Sequence, residues 1–259
     1  MRLSVEYEMS GEYLPKDYRS GFMSLIKKAI STANPTLFEQ YYSRHNLKPF
    51  TFSTYFPQLK GSEDGQFNVG RDVRLNLSTS SLELATYLYN GLYKTRTFAL
   101  FEQKLGLQNT LTLKRIFLQR SHQIRSSEVI FKTVSPVLIN NKGKSGWYLL
   151  PGEDGFMEGL HFAVSEVAKE FLRWQGEVPL EFELFKKDGG ISVRRKIISH
   201  YEQSMSAFVG TFKLKSEPEI LQLIYDVGLG VRRSQGFGML EVAQTPSREI
   251  SSREGSTHE

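Results

Sequence analysis

The chain has no cysteine, few histidines and no long hydrophobic run. Because none of its 259 residues is cysteine, disulfides, thiol catalysis and cysteine-rich zinc sites are excluded. The five histidines are scattered, so we expect neither a metal ion nor another cofactor. No apolar run approaches membrane-spanning length, and the opening residues MRLSVEYE alternate like a strand rather than a signal peptide. We therefore expect a cytoplasmic protein with no membrane partner.

Positive charge is in modest excess. The chain carries 33 Lys and Arg against 28 Asp and Glu, a formal net charge of +5. An excess of this sign fits a polyanionic partner such as a nucleic acid, although many soluble enzymes carry a similar charge. A chain of this length tends to divide into two hydrophobic cores, so we expect two domains.

The hydrophobic periodicity predicts the same order of elements twice. In the first half it predicts strands at 3–8, 50–56, 73–79 and 111–120, helices at 17–32, 36–43 and 82–98, and a turn at 61–65. In the second half it predicts strands at 129–139, 180–187, 191–198, 207–214 and 237–242, and helices at 155–174 and 219–227. Each half reads β-α-β-β-α-β, and the second has one extra strand.

This order predicts an α+β protein made of two tandem ferredoxin-like (β-α-β-β-α-β) domains. We assign residues 1–124 to the N-terminal domain and 125–245 to the C-terminal domain, which contains a glycine-rich loop at 228–238. Residues 246–259 contain almost no apolar side chains, so we expect a disordered tail.

The loop at 228–238 reads GLGVRRSQGFG and is the most informative segment of the chain. Glycine lacks the Cβ that keeps a ligand from the main chain, so the N–H groups of such a loop can approach phosphates while arginines supply charge. A mobile turn is the alternative. The segment lacks the lysine and serine that end a P-loop, which argues against a small-molecule enzyme holding a nucleotide. We predict RNA contacts from Gly228, Gly230, Arg232, Arg233, Ser234, Gln235, Gly236 and Gly238.

Tandem units that end in this glycine-rich loop resemble the Cas-six family, the CRISPR-associated endoribonucleases of the RAMP superfamily. The segments VSPV at 134–137 and FVGTF at 208–212 are similar to that family as well. The resemblance implies an enzyme that binds CRISPR repeat RNA and cuts the precursor transcript into guide RNAs. A CRISPR effector complex and a homodimer are further partners that it leaves open.

The resemblance also implies catalytic residues, because the family usually places its catalytic histidine where His45 lies. Lys48 is the nearest ammonium and would stabilise charge on the phosphate, and Tyr42 or its neighbour Tyr41 would orient the phosphate or share proton transfer. Relatives that use a tyrosine can carry it further upstream, where this chain has Ile30 and Ser31. We take His45, Lys48 and Tyr42 as the predicted catalytic residues.

Three further basic residues are predicted to contact RNA. Arg44 directly precedes His45, and Lys213 and Lys215 alternate on one face of a predicted strand, where two ammonium groups can follow a phosphate backbone. Lysines that guard a solvated strand edge are the alternative.

The predicted reaction needs no metal ion. A 2′-hydroxyl attacks the adjacent phosphate and leaves a 2′,3′-cyclic phosphate and a 5′-hydroxyl. The alternative function is a non-catalytic RNA-binding RAMP subunit of a CRISPR effector complex.

Overall fold

The computed structural model describes residues 1–43, 46–63, 65–101, 109–143, 147–184, 186–187, 190–201 and 203–243. The predicted tail lies outside these residues. Five helices occur in this part of the chain: α1 (Arg19–Ala33), α2 (Pro35–Tyr42), α3 (Leu82–Lys94), α4 (Phe156–Leu172) and α5 (Pro218–Val227).

Local sequence signals mark where these helices begin. The side chains of Asn34 and Ser81 cap α2 and α3 by accepting from backbone N–H groups three residues further on. Proline opens α2 and α5 at their first position, where a missing N–H costs no hydrogen bond.

Within the described ranges, the strands fall into two large sheets and two small ones. The first half of the chain contains β1 (Arg2–Met9), β2 (Tyr13–Pro15), β3 (Phe50–Tyr55), β4 (Gly61–Glu63), β5 (Gln66–Asn68), β6 (Asp72–Thr79), β7 (Thr97–Leu100) and β8 (Asn109–Gln119). The second half contains β9 (Glu128–Thr133), β10 (Glu181–Leu184), β11 (Lys186–Lys187), β12 (Gly190–Ile191), β13 (Val193–His200), β14 (Gln203–Lys215) and β15 (Leu240–Val242).

The two large sheets share one strand order. The first runs β3-β6-β1-β8-β7 and the second β10-β14-β9-β15. If each sheet's four main strands are numbered along the chain, both orders read second, third, first, fourth. This arrangement of antiparallel strands with helices is consistent with the predicted pair of ferredoxin-like units. Each half also has its own buried cluster of apolar side chains.

Strand β14 is the long strand of the second sheet. Its last part, from Thr211 to Lys215, pairs with β9, whereas its first part, from Gln203 to Gly210, forms a hairpin with β13. The extra strand that the sequence predicts is therefore β13. Gly210 lies where the partners change, and a Cβ there would lie 1.9 Å from the Ser192 carbonyl oxygen.

Two predicted elements of the first half were wrong in detail. The helix predicted to extend to residue 98 ends at Lys94, because Thr97–Leu100 pairs instead with β8 as an edge strand. Threonine and phenylalanine in that segment favour a strand. The turn predicted at 61–65 contains β4 and leads into β5, and these two strands form a small sheet with β2.

In the part of the chain that the structure describes, no helix is both long and apolar enough to span a membrane.

Candidate functional site

The glycine-rich loop follows α5 and contains a short 3₁₀ helix, Arg233–Gln235. All four of its glycines have positive φ, between 75° and 89°, and all are buried. A Cβ on Gly230 would lie 2.2 Å from the Leu138 carbonyl oxygen, and one on Gly238 would lie 2.1 Å from that of Leu229. Backbone contact this close leaves no room for a side chain, so these glycines allow the loop to pack.

The loop's main chain is hydrogen-bonded within the protein. Backbone N–H groups at positions 228, 229, 231, 235, 236 and 238 donate to backbone carbonyls. Two of these acceptors, Pro136 and Leu138, belong to or follow the VSPV segment. Since these donors are occupied, we expect RNA contacts of the loop to come mainly from its side chains.

The loop also contacts the N-terminal half of the chain. Thr51 on β3 donates its hydroxyl to the Phe237 carbonyl at 2.7 Å, and Arg19 at the start of α1 donates to the Gly236 carbonyl at 3.3 Å. A Cβ on Gly236 would lie 2.9 Å from the ring of Phe52. The loop therefore lies at the junction of the two halves.

The two arginines of the loop have different surroundings. Arg233 is 5% exposed and donates to the Val227 carbonyl at the end of α5, and burial lowers the pKa of its guanidinium to about 10. Arg232 is half-buried and donates from Nε to the Tyr148 hydroxyl at 2.8 Å and from Nη1 to Gln235 Oε1 at 3.2 Å. Arg233 therefore supports the protein interior, and Arg232 is the arginine more available to a ligand.

A cleft of about 250 Å³ connects the loop to the predicted catalytic region. We call it the junction cleft. Its lining comes from three places: Asn46, Leu47 and Lys48; the α4 residues Phe162, Ala163, Glu166 and Val167; and the loop residues 230–234. His45 and Arg44 lie outside the described residues. Asn46, the residue directly after His45 in the sequence, is the first described residue in this wall of the cleft.

Lys48 lies beside Tyr42. Its ammonium group is 4.8 Å from the centroid of the Tyr42 ring, and that of Lys27 is 5.2 Å from the same centroid. Burial and then the charge of Lys27 lower the pKa of Lys48. An ammonium at the cleft wall can stabilise negative charge that develops on a phosphate.

Tyr42 itself is packed against protein. Its ring stacks on Phe38 with centroids 4.9 Å apart, and burial raises the pKa of its hydroxyl. The phenol therefore keeps its proton at neutral pH, which suits a hydrogen-bond donor rather than a general base. Of the three predicted catalytic residues, the structure places Lys48 in the cleft wall and Tyr42 next to it.

Lys213 and Lys215 lie on β14 and contact carboxylates. Each ammonium is 2.7 Å from a carboxylate oxygen of Glu183, and both also lie near Glu128. Lys213 lines a different cavity of about 470 Å³, together with Arg125. The two lysines thus share a strand face as predicted, but they do not line the junction cleft.

Sequence reasoning missed the part played by Asp17 and His200. His200 is fully buried, with Nδ1 2.6 Å from Asp17 Oδ1 and Nε2 3.2 Å from Gln235 Oε1. Asp17 precedes α1 and His200 ends β13, so these residues are 183 positions apart. No local pattern could have paired them. Among the described residues, no group of three or more His, Cys, Asp or Glu side chains could hold a metal ion.

Comparison with known proteins agrees with this architecture. Residues 119–242 match the family model for "CRISPR associated protein Cas6, C-terminal". A CRISPR-associated endoribonuclease Cas6 from Pyrococcus furiosus is 24% identical over 93% of this chain and 88% of its own length. CRISPR-associated endoribonuclease Cas6 1 from Methanocaldococcus jannaschii is 22% identical over 93% and 92%. The chain is thus similar to Cas6 endoribonucleases over nearly its whole length, and to the Cas6 C-terminal family model over residues 119–242.

The fold has a counterpart among solved structures. One from a Cas6-related gene of Pyrococcus furiosus superposes with a TM-score of 0.80 at 20% identity, covering 95% of this chain and 99% of that one. The similarity extends over both sheets rather than the C-terminal half alone.

Proposed function

We propose that this protein is an endoribonuclease that binds CRISPR repeat RNA and cuts the precursor transcript into guide RNAs. The observation that carries the proposal is the junction cleft, which is lined both by Lys48, three residues after His45, and by loop residues that include Arg232. The two relatives that are named CRISPR-associated endoribonucleases match over nearly the whole chain, which supports the same activity here. Within this proposal, residues 1–124 and 125–245 form two ferredoxin-like domains.

The proposed chemistry uses side chains alone. His45 serves as the base or acid of proton transfer, Lys48 stabilises charge on the phosphate, and Tyr42 donates a hydrogen bond or packs beneath Lys48. Attack by the 2′-hydroxyl leaves a 2′,3′-cyclic phosphate and a 5′-hydroxyl. Arg232 and Ser234 hold the RNA from the loop side of the cleft, while Gly228, Gly230, Gly236 and Gly238 shape the loop.

The experiment incubates the purified protein with labelled repeat RNA in excess chelator, at single turnover. His45→Ala is expected to lower the cleavage rate by about 10²–10⁴-fold, the usual contribution of a positioned acid or base, while RNA affinity persists. His122→Ala is the matched control, because His122 lines the other cavity, not the junction cleft. Deoxyribose at the nucleotide 5′ to the cut should block cleavage.

Three results would contradict the proposal. A product with a 3′-hydroxyl would refute attack by the 2′-hydroxyl, and a need for added metal would refute metal-independent chemistry. Tight binding without cleavage by the wild-type protein would identify a non-catalytic RNA-binding subunit instead.

A further inference from the structure

A chain of hydrogen bonds links the N-terminal half of the protein to Arg232. The Asp17 carboxylate receives two contacts, one from His200 Nδ1 at 2.6 Å and one from the Tyr201 backbone N–H at 3.1 Å. The other ring nitrogen of His200 faces Gln235 Oε1, which also accepts from Arg232. The side chains of Asp17, His200, Gln235 and Arg232 thus form one continuous network, which we call the junction network.

The donors and acceptors of this network fix one another. Arginine has only donors, so the atom of Gln235 that faces Arg232 must be the amide oxygen. An ionised carboxylate has only acceptors, so His200 donates from Nδ1 to Asp17. Since Nε2 faces the Gln235 oxygen, the ring satisfies both contacts when both of its nitrogens carry protons. Asp17 then supplies the opposite charge that a buried imidazolium requires.

Loss of the positive charge on the His200 ring would reverse the amide of Gln235. With a single proton on Nδ1, the unprotonated Nε2 would repel the Gln235 oxygen, and the amide would turn its NH₂ group toward the ring. The NH₂ group has donors only. Whichever way it turned, either the contact with His200 or the contact with Arg232 would be lost.

We propose that Asp17 and His200 are positioning residues for Arg232, which they hold, through Gln235, against a phosphate of bound RNA. This inference rests on the proposed function, because the phosphate belongs to the repeat RNA. Arg232 uses Nε and one N–H of Nη1 for Tyr148 and Gln235, and within the described part of the chain three of its five donors remain. A guanidinium fixed on one side can present this remaining edge to two phosphate oxygens with little loss of side-chain freedom.

The test measures the affinity of repeat RNA that carries deoxyribose at the cleavage position, over a range of salt concentrations. Asp17→Asn removes the carboxylate charge but keeps the shape of the side chain, and Asp17 is accessible enough to tolerate it, at 27% exposure. Arg232→Ala is expected to weaken binding about 10-fold or more, as loss of a charge-assisted hydrogen bond does. It should also lower the salt slope by about 0.7–0.9, the value for one phosphate.

Asp17→Asn is expected to lower the affinity and the salt slope in the same way as Arg232→Ala, but by less. The loss of affinity should be about 3- to 10-fold, because Arg232 is displaced rather than removed. In the Arg232→Ala background, Asp17→Asn should cause no further loss. The double variant Asp17→Asn/Gln235→Glu restores a carboxylate beside His200 at unchanged net charge, and we expect it to recover affinity.

Thr51→Val is the matched control. It removes another hydrogen bond between the N-terminal half and the same loop, to the Phe237 carbonyl, but lies outside the junction network. It should lower the melting temperature while the salt slope stays at the wild-type value.

The outcomes separate this inference from the proposed function. If Asp17→Asn costs the same factor with and without Arg232, or if it behaves like Thr51→Val, the network is only structural and the inference is wrong. Wild-type binding and cleavage would then still support the proposed function. If the wild-type protein binds no repeat RNA, both proposals are overturned.

Discussion

Gly230→Ala tests whether the glycine-rich loop is a packed element. Gly230 has a φ of +80°, and a Cβ there would lie 2.2 Å from the Leu138 carbonyl oxygen. Gly176 has nearly the same φ, +81°, but a Cβ there would meet nothing within 4 Å. The two substitutions therefore share the cost of left-handed backbone and differ in the close approach.

The expected magnitudes follow from these two terms. An alanine in the left-handed region costs about 1–2 kcal/mol, which both variants pay. Forcing extra volume into packed structure adds about 1–3 kcal/mol, and this applies to Gly230→Ala alone. At about 2–4 °C per kcal/mol for a protein of this size, Gly230→Ala should melt roughly 2–12 °C below Gly176→Ala.

The assay is thermal unfolding followed by circular dichroism, with both variants and the wild-type protein in one buffer. Equal melting temperatures for the two variants would refute the reasoning. They would mean that the loop moves away from Leu138 without cost, as a mobile turn would.

Three further outcomes are expected. Lys27→Ala should raise the pKa of Lys48, because it removes a nearby positive charge. The loss of cleavage at alkaline pH should therefore move to higher pH. An unchanged pH-rate profile would exclude Lys48 as the group whose titration causes that loss. Glu183→Gln should tighten RNA binding in a filter assay if the two lysines of β14 contact phosphate, because it removes the carboxylate that lies 2.7 Å from both ammonium groups. Unchanged affinity would assign the lysines to the strand face alone. Arg2→Ala should lower the free energy of unfolding by about 3–5 kcal/mol in urea, because the buried guanidinium donates to backbone carbonyls at α5 and β15; a loss below 1 kcal/mol would show that these carbonyls find other partners.

Periodicity was sufficient to predict most helices and strands, because their apolar faces repeat along the chain. The alternation of residues 3–8, for example, corresponds to β1. The end of α3 was less predictable, since the segment after Lys94 is apolar enough for either a helix or a strand. There the pairing of Thr97 with Thr112 on β8 decides the conformation, and this contact is not local in sequence.

The glycine spacing drew attention to residues 228–238, and the structure shows that several of their backbone N–H groups donate to carbonyls of the protein itself. The sequence suggested a main chain open to phosphate, whereas a Cβ added to Gly230 or Gly238 would lie 2.2 Å or 2.1 Å from a backbone oxygen. Residue type alone cannot distinguish a glycine that admits a ligand from one that admits another stretch of main chain. The position of His200 in the junction network was equally unpredictable from sequence, because it depends on a contact with Asp17, which is 183 positions away.

The length of β14 has a mechanical consequence. Its hairpin with β13 extends the central strand of the second sheet by eight residues, about 26 Å at strand rise, and His200 lies at the far end. A projecting hairpin of this length could move relative to the first half if it were fixed only at its base. The hydrogen bond from His200 at its tip to Asp17 connects the hairpin to the N-terminal half of the chain. Any hinge movement between the two halves must therefore either break that bond or move Gln235 together with His200.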